Sequence, residues 1–209
     1  SLLTNSYFPK KNISEKEFLE IKKKWLIKNN NLELLEEYLV KNFEQLENLE
    51  LLKYVLEEYL SRFEIKKSCE FINNFNRDFN DDYLTKFKIY CLVNDLKIDE
   101  AQLLLDIKKE LGMKDNFFEE KIYSLIGLKS ETASFNKKEI TQNLLYFHLS
   151  HRTDKNFSFE PSEKTPKKIW RYLSSANLLK EFDGKDLEDL KKISLFEKAA
   201  HEGNYDEKN

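Results

Sequence analysis

Apolar residues recur along this chain at the three- and four-residue intervals of amphipathic helices, and polar clusters interrupt them. Ser14-x-x-Glu17 has the form of a capping box, flanked by Ile13 and Phe18 in staple positions. It predicts a helix to about Lys28, with Phe18, Ile21, Trp25 and Leu26 on the apolar side. Asn29-Asn30-Asn31 breaks it. Further helices are predicted over residues 32–43, 48–62, 65–75, 81–94, 98–111 and 116–126. Asn80 is the expected cap of the fifth, and Gly112 and Gly127 close the sixth and seventh. Beyond residue 128 the pattern continues as a helix over 137–151 and a polar loop over 152–164. A helix capped by Thr165-Pro166 follows, then a last one over 186–201. No stretch reads as a strand, so the expected fold is all-α.

Three stretches echo one another. Trp25-Leu26 precedes Leu35, Tyr38 and Leu39; Tyr59-Leu60 precedes Cys69 and Ile72; Cys91-Leu92 precedes Ala101, Leu104 and Leu105. The offsets are 34 and then 32 residues, a spacing that points to stacked helix pairs. The spacing, with a small residue in the second helix at Cys69 and Ala101, resembles tetratricopeptide-type hairpins over residues 17–110. The family's small first-helix residue aligns instead with Lys23, Glu57 and Ile89, and its closing proline is absent. The resemblance implies a right-handed α-solenoid at residues 14–127. An irregular segment at 1–13 would precede it, and a continuous helical cap at 128–209 would follow. A second resemblance, to uncharacterised helical proteins of alphaproteobacteria, rests on Asp99-Glu100-Ala101-Gln102-Leu103, Asp115-x-Phe117-Phe118, Leu144-x-x-Phe147-His148-Leu149 and Phe196-Glu197-Lys198-Ala199-Ala200. It implies a bacterial source and an exported protein.

Composition narrows the classes. Four glycines and three prolines in 209 residues disfavour turn-rich β folds, and 40% hydrophobic residues suffice for a core. A net charge of −3 with mixed signs speaks against nucleic acid as a partner. No segment is apolar for long enough to span a membrane. Cys69 and Cys91 fall at small or apolar repeat positions and read as buried free thiols. The location expected is bacterial cytoplasm or periplasm, with a removed signal peptide left open.

Candidate chemistry is sparse. His148 and His151 stand at i and i+3 and are the one close histidine pair, a weak metal candidate lacking an evident third ligand. The alternative places a partly buried His148 on an apolar face and an exposed His151, with Arg152, at a helix end. Acidic pairs such as Glu57-Glu58 diverge in direction on a helix and read as solvated faces. No phosphate-binding loop, nucleophile elbow or zinc-protease motif occurs. No cofactor is expected. In tetratricopeptide-like stacks the first helix of each pair lines a concave face. Carried over, that face contains Lys24, Tyr54, Glu58, Lys86 and Tyr90, with Tyr54–Glu58 and Lys86–Tyr90 as i,i+4 pairs. Aromatics beside charges suit a groove for a protein or peptide. The leading expectation is therefore a non-enzymatic interaction module. The alternatives are a metal-dependent or hydrolytic enzyme using His148 and His151, and a structural segment of an exported assembly.

Overall fold

The computed structural model describes residues 12–29, 31–46, 49–75, 78–129, 137–162 and 164–179. Among them all regular structure is helical. The helices are α1 (Glu15–Asn29), α2 (Leu32–Leu46), α3 (Leu49–Ser61), α4 (Ile65–Asn73), α5 (Asp82–Asn94), α6 (Ile98–Glu110), α7 (Asn116–Leu125), α8 (Lys137–Ile140), α9 (Leu144–Thr153) and α10 (Lys167–Ser175). The helix expected over 186–201 lies outside the described residues. Among the described residues no helix is long and apolar enough to cross a membrane.

Short polar side chains set the helix starts. Ser14 and Glu17 form the expected capping box: the Glu17 N–H donates to Ser14 Oγ at 3.3 Å, and the Ser14 N–H donates back to Glu17 Oε2 at 3.0 Å. Asn31 caps α2, accepting from the Leu34 N–H at 3.1 Å. Asp81, not Asn80, caps α5 through the Leu84 N–H. The single helix expected over 137–151 is broken at residues 141–143. There Asn143 takes an extended backbone and accepts from the Tyr146 N–H, starting α9 afresh. Thr165 does not cap α10; its hydroxyl accepts from the Ser162 N–H, and Pro166 precedes the helix without a side-chain bond.

The helix starts are more regular than the sequence echo. α2, α4 and α6 begin at Leu32, Ile65 and Ile98, each 33 positions after the last, and α3 and α5 begin 33 apart as well. This register corrects one pairing. The residue equivalent to Leu35 and Ala101 is Ser68 rather than Cys69, and all three are fully buried. Ser68 Oγ donates to the Ile65 carbonyl at 2.7 Å, which satisfies its hydroxyl within the core. One turn on, Leu39, Ile72 and Leu105 are also fully buried.

α3 and α5 end in the same turn. Phe63 and Leu96 both adopt left-handed backbone, with φ of +59° and +61°. The following N–H, of Glu64 or Lys97, reaches back to the carbonyl of Tyr59 or Leu92. That is a Schellman termination, normally a place for glycine. Gly112 and Gly127 do occupy it after α6 and α7, as expected.

α3 lies at the centre, packing against α2, α4, α9 and α10, while α5 packs against α4, α6 and α7. The later helices thus return to an early one. The sequence expectation of free thiols is corrected: Cys69 on α4 and Cys91 on α5 form a disulfide, with Cα atoms 5.3 Å apart. Each cysteine is apolar enough to bury, and the packing of α4 on α5 brings the two together.

Candidate functional site

The residues expected to line an open groove are placed apart: Lys24 stands alone and the other four fall in three separate clusters covered by later helices. Lys24 is exposed on α1. Tyr54 and Glu58 sit on α3 beneath α10. Glu58 is only 3% exposed, and its carboxylate lies 2.5 Å from Arg171 Nη1, 3.7 Å from Lys168 Nζ and 3.9 Å from Arg62 Nη2. Lys168 also pairs with Glu57 at 3.0 Å and holds its ammonium 4.4 Å above the Tyr54 ring. Burial, then the Glu58 charge, pushes the Tyr54 phenol up. Arg171 donates to Ser61 Oγ as well. The reason for this cover is complementary patterning. α10 opens with lysines and carries Ile169, Trp170, Tyr172 and Leu173 inward, whereas α3 offers carboxylates beside a tyrosine.

Lys86 takes part in a second cluster. Its ammonium pairs with Asp115, and it donates to Tyr146 Oη at 3.2 Å. Tyr146 donates to the same Asp115 oxygen, while the other Asp115 oxygen caps α7 through the Phe118 N–H at 2.9 Å. Burial works to raise the Asp115 carboxyl, but the hydrogen bonds from Lys86, Tyr146 and Phe118 outweigh it and hold it below its ordinary value. Phe117 stacks on Tyr146 with centroids 4.6 Å apart. Asp115, Phe117 and Tyr146 form part of the wall of an open cleft of about 800 Å³ that also includes Lys109, Met113 and Gln142. Asp115 and Tyr146 were not singled out from the sequence as partners of Lys86; the Asp-x-x-Phe spacing at Asp115 was the available signal, as a helix cap.

Tyr90 belongs to a third, interior arrangement. Its hydroxyl lies 2.6 Å from His148 Nε2; His148 Nδ1 lies 2.7 Å from Tyr172 Oη, and Tyr172 Oη lies 2.8 Å from His151 Nδ1. Burial, then the charges of Arg152 and His151, lowers the His148 imidazole to about 3, so it is neutral near pH 7. A neutral imidazole has one donor and one acceptor. We assign the hydrogens by satisfaction. Tyr90 donates to Nε2, the Nδ1–H of His148 donates to Tyr172, and Tyr172 donates to His151. The reverse direction leaves the Tyr90 hydrogen without an acceptor among the described residues. Phe63 lies edge-on to His148 and Tyr172, at centroid distances of 6.1 and 5.5 Å.

Both ring nitrogens of His148 are thus committed to phenols; it is fully buried where partial burial was expected, and His151, expected to be exposed, is half-buried against Tyr172. Among the described residues no three His, Cys, Asp or Glu side chains gather for a metal ion. Phenol partners do not favour the imidazolium, so the chain of four suits a rigid, neutral joint between α5, α9 and α10 better than proton exchange. Tyr172, its centre, had no signal in the sequence beyond an aromatic on a helix face. No family model matches the chain, and comparison with curated proteins and with solved structures gives no match.

Proposed function

We propose that this chain is a non-enzymatic protein- or peptide-interaction module, built on a tetratricopeptide-like stack of helix pairs, that holds basic amphipathic helices. The observation that carries the reading is the docking of α10 on α3. The face expected to bind a partner through Tyr54 and Glu58 holds a basic helix of the same chain, through Lys168 and Arg171. The 33-residue spacing of helix starts supports the repeat architecture.

The test uses a labelled peptide covering residues 165–179. Full-length protein carrying Lys168→Glu and Arg171→Glu, which loosens its own α10, is expected to bind the peptide saturably. The parent chain, whose face is occupied, is expected to bind it at least about tenfold more weakly. Absence of binding to a double variant that keeps its helical circular dichroism would refute the reading.

The alternative of a metal-dependent or hydrolytic site at His148 and His151 gains no support from a histidine whose nitrogens are already bonded. The alternative of a role in an exported assembly draws on one specific observation, the Cys69–Cys91 disulfide, because such bonds persist in oxidising compartments. Alkylation and mass spectrometry of the protein from its native cell is the check; two free thiols would sink it.

A further inference from the structure

The second helices of the three successive pairs differ on their outer faces. At equivalent positions α2 carries Glu37 and Lys41, α4 and its C-cap carry Glu70 and Asn74, and α6 carries Leu103 and Ile107. All six are exposed. The first two pairs are an ordinary solvated surface, while the third places leucine and isoleucine in water. On α6 the apolar positions continue at i, i+4 and i+8 into the C-cap residue Leu111, with exposures of 63%, 43% and 75%. That is a single stripe roughly 12 Å long. It has a second mark at its start. Leu96, in the turn that opens α6, holds left-handed backbone while 84% exposed. Its equivalent, Phe63, has the same backbone but packs its ring against α9 and α10.

Asp99, Asp106 and Glu110 lie along one side of the stripe and are all exposed. Lys108 flanks the opposite side of the stripe, and Lys109 lies beyond the acidic margin toward the back of the helix. An apolar stripe with an acidic margin is complementary to a helix with an apolar stripe and a basic margin. The same chemistry already operates within the molecule, where acidic α3 holds basic α10. An antiparallel two-fold contact with a second copy would set one acidic margin against the other, and a parallel one would offer each margin only Lys108 of the helix, so a helix with basic residues along its flank is the fuller complement.

We infer that the α6 face of Leu103, Ile107 and Leu111 is a docking surface for a basic amphipathic helix of a partner protein. This rests on the interaction-module reading and names a second face and its ligand class. Docking would place three apolar anchors in a dry centre and pair the Asp106 and Glu110 margin with lysine or arginine.

The probe is a fluorescein-labelled helical peptide with leucines at i, i+4 and i+7 and lysines on its flanks. Two controls share the design, one with the leucines scrambled and one with glutamates in place of the lysines. The intact chain is expected to bind the first peptide saturably and both controls at least about tenfold more weakly. Leu103→Glu with Ile107→Lys, which restores the polar pattern of α2, is expected to weaken binding about tenfold or more while leaving the melting temperature unchanged. Asp106→Lys with Glu110→Lys should weaken it less and flatten its salt dependence. Binding that survives the Leu103/Ile107 change overturns this surface but leaves the module reading standing, since α3 is untouched. Equal binding of all three peptides, no binding of any, or self-association abolished by Leu103→Glu also overturns it.

Discussion

The turn after α3 and the turn after α5 have the same backbone and opposite surroundings. Both spend three residues between helices, both close with the same pair of hydrogen bonds, and both put a large apolar residue where glycine is favoured. Phe63 lies under α9 and α10, edge-on to His148 and Tyr172. Leu96 stands in solvent. The left-handed conformation costs a non-glycine residue about 1 kcal/mol. At Phe63 aromatic packing offsets that cost, and at Leu96 nothing among the described residues does. The difference teaches that one local structure is used twice, and that the covering helices decide whether it is interior or surface.

The largest test breaks the joint between the two pairs. The Cys69–Cys91 crosslink ties α4 to α5 with 22 residues of sequence separation, and a closed loop of that length stabilises by about 3 kcal/mol. Cys69→Ser with Cys91→Ser is expected to lower unfolding stability by about that amount in urea titration. An unchanged midpoint would mean the pair carries no constraint.

Acid should strike the covered turn next. His148 is neutral in the fold down to about pH 3, whereas in the unfolded chain it protonates near its ordinary 6.5. The unfolded state therefore binds the extra proton, and stability falls as pH drops below 6.5, by up to about 1.4 kcal/mol per unit until pH nears 3. Asp115, held low, adds a loss in the same direction at the acid end of that range. Urea midpoints from pH 7 to 4.5 are the measurement. His148→Gln is expected to remove most of the slope above pH 5; a slope that persists would assign it elsewhere.

Phe63→Ala removes a half-buried ring from three aromatic neighbours, and about 2 kcal/mol of destabilisation is expected. Leu96→Gly gives the smallest effect and the opposite sign. With no packing to lose, relief of the left-handed strain should raise stability by about 0.5–1 kcal/mol. A loss at Leu96 comparable to that at Phe63 would erase the distinction between the turns.

Much of the helical framework was legible. The capping box at Ser14, the cap at Asn31 and the stop at Gly112 follow from local chemistry that the chain cannot evade. The candidate site was less legible. Tyr54, Glu58, Lys86 and Tyr90 are concave-face positions only by the expectation carried over from helical repeats, and helices α7, α9 and α10 pack against the two helices that carry them. Glu58 reads as solvated in sequence because it and Glu57, adjacent on a helix, diverge in direction. It is buried because Lys168 and Arg171 arrive more than a hundred positions later. Ser68 and Cys69 exchange roles for a similar reason. An apolar slot and its neighbour look alike in sequence, and only the 33-residue register distinguishes them.

The sequence by itself determined where helices begin and end, since caps, glycines and the 3.6-residue period act within a few positions of one another. It also determined that the protein is all-helical among its described residues. Tertiary structure alone decided which helices meet. It paired Cys69 with Cys91, linked Tyr90, His148, Tyr172 and His151, and placed α10 on α3. The physical reason is range. Capping and periodicity are short-range rules written in neighbouring residues, whereas complementarity between two helix faces exists only once the chain has brought them together.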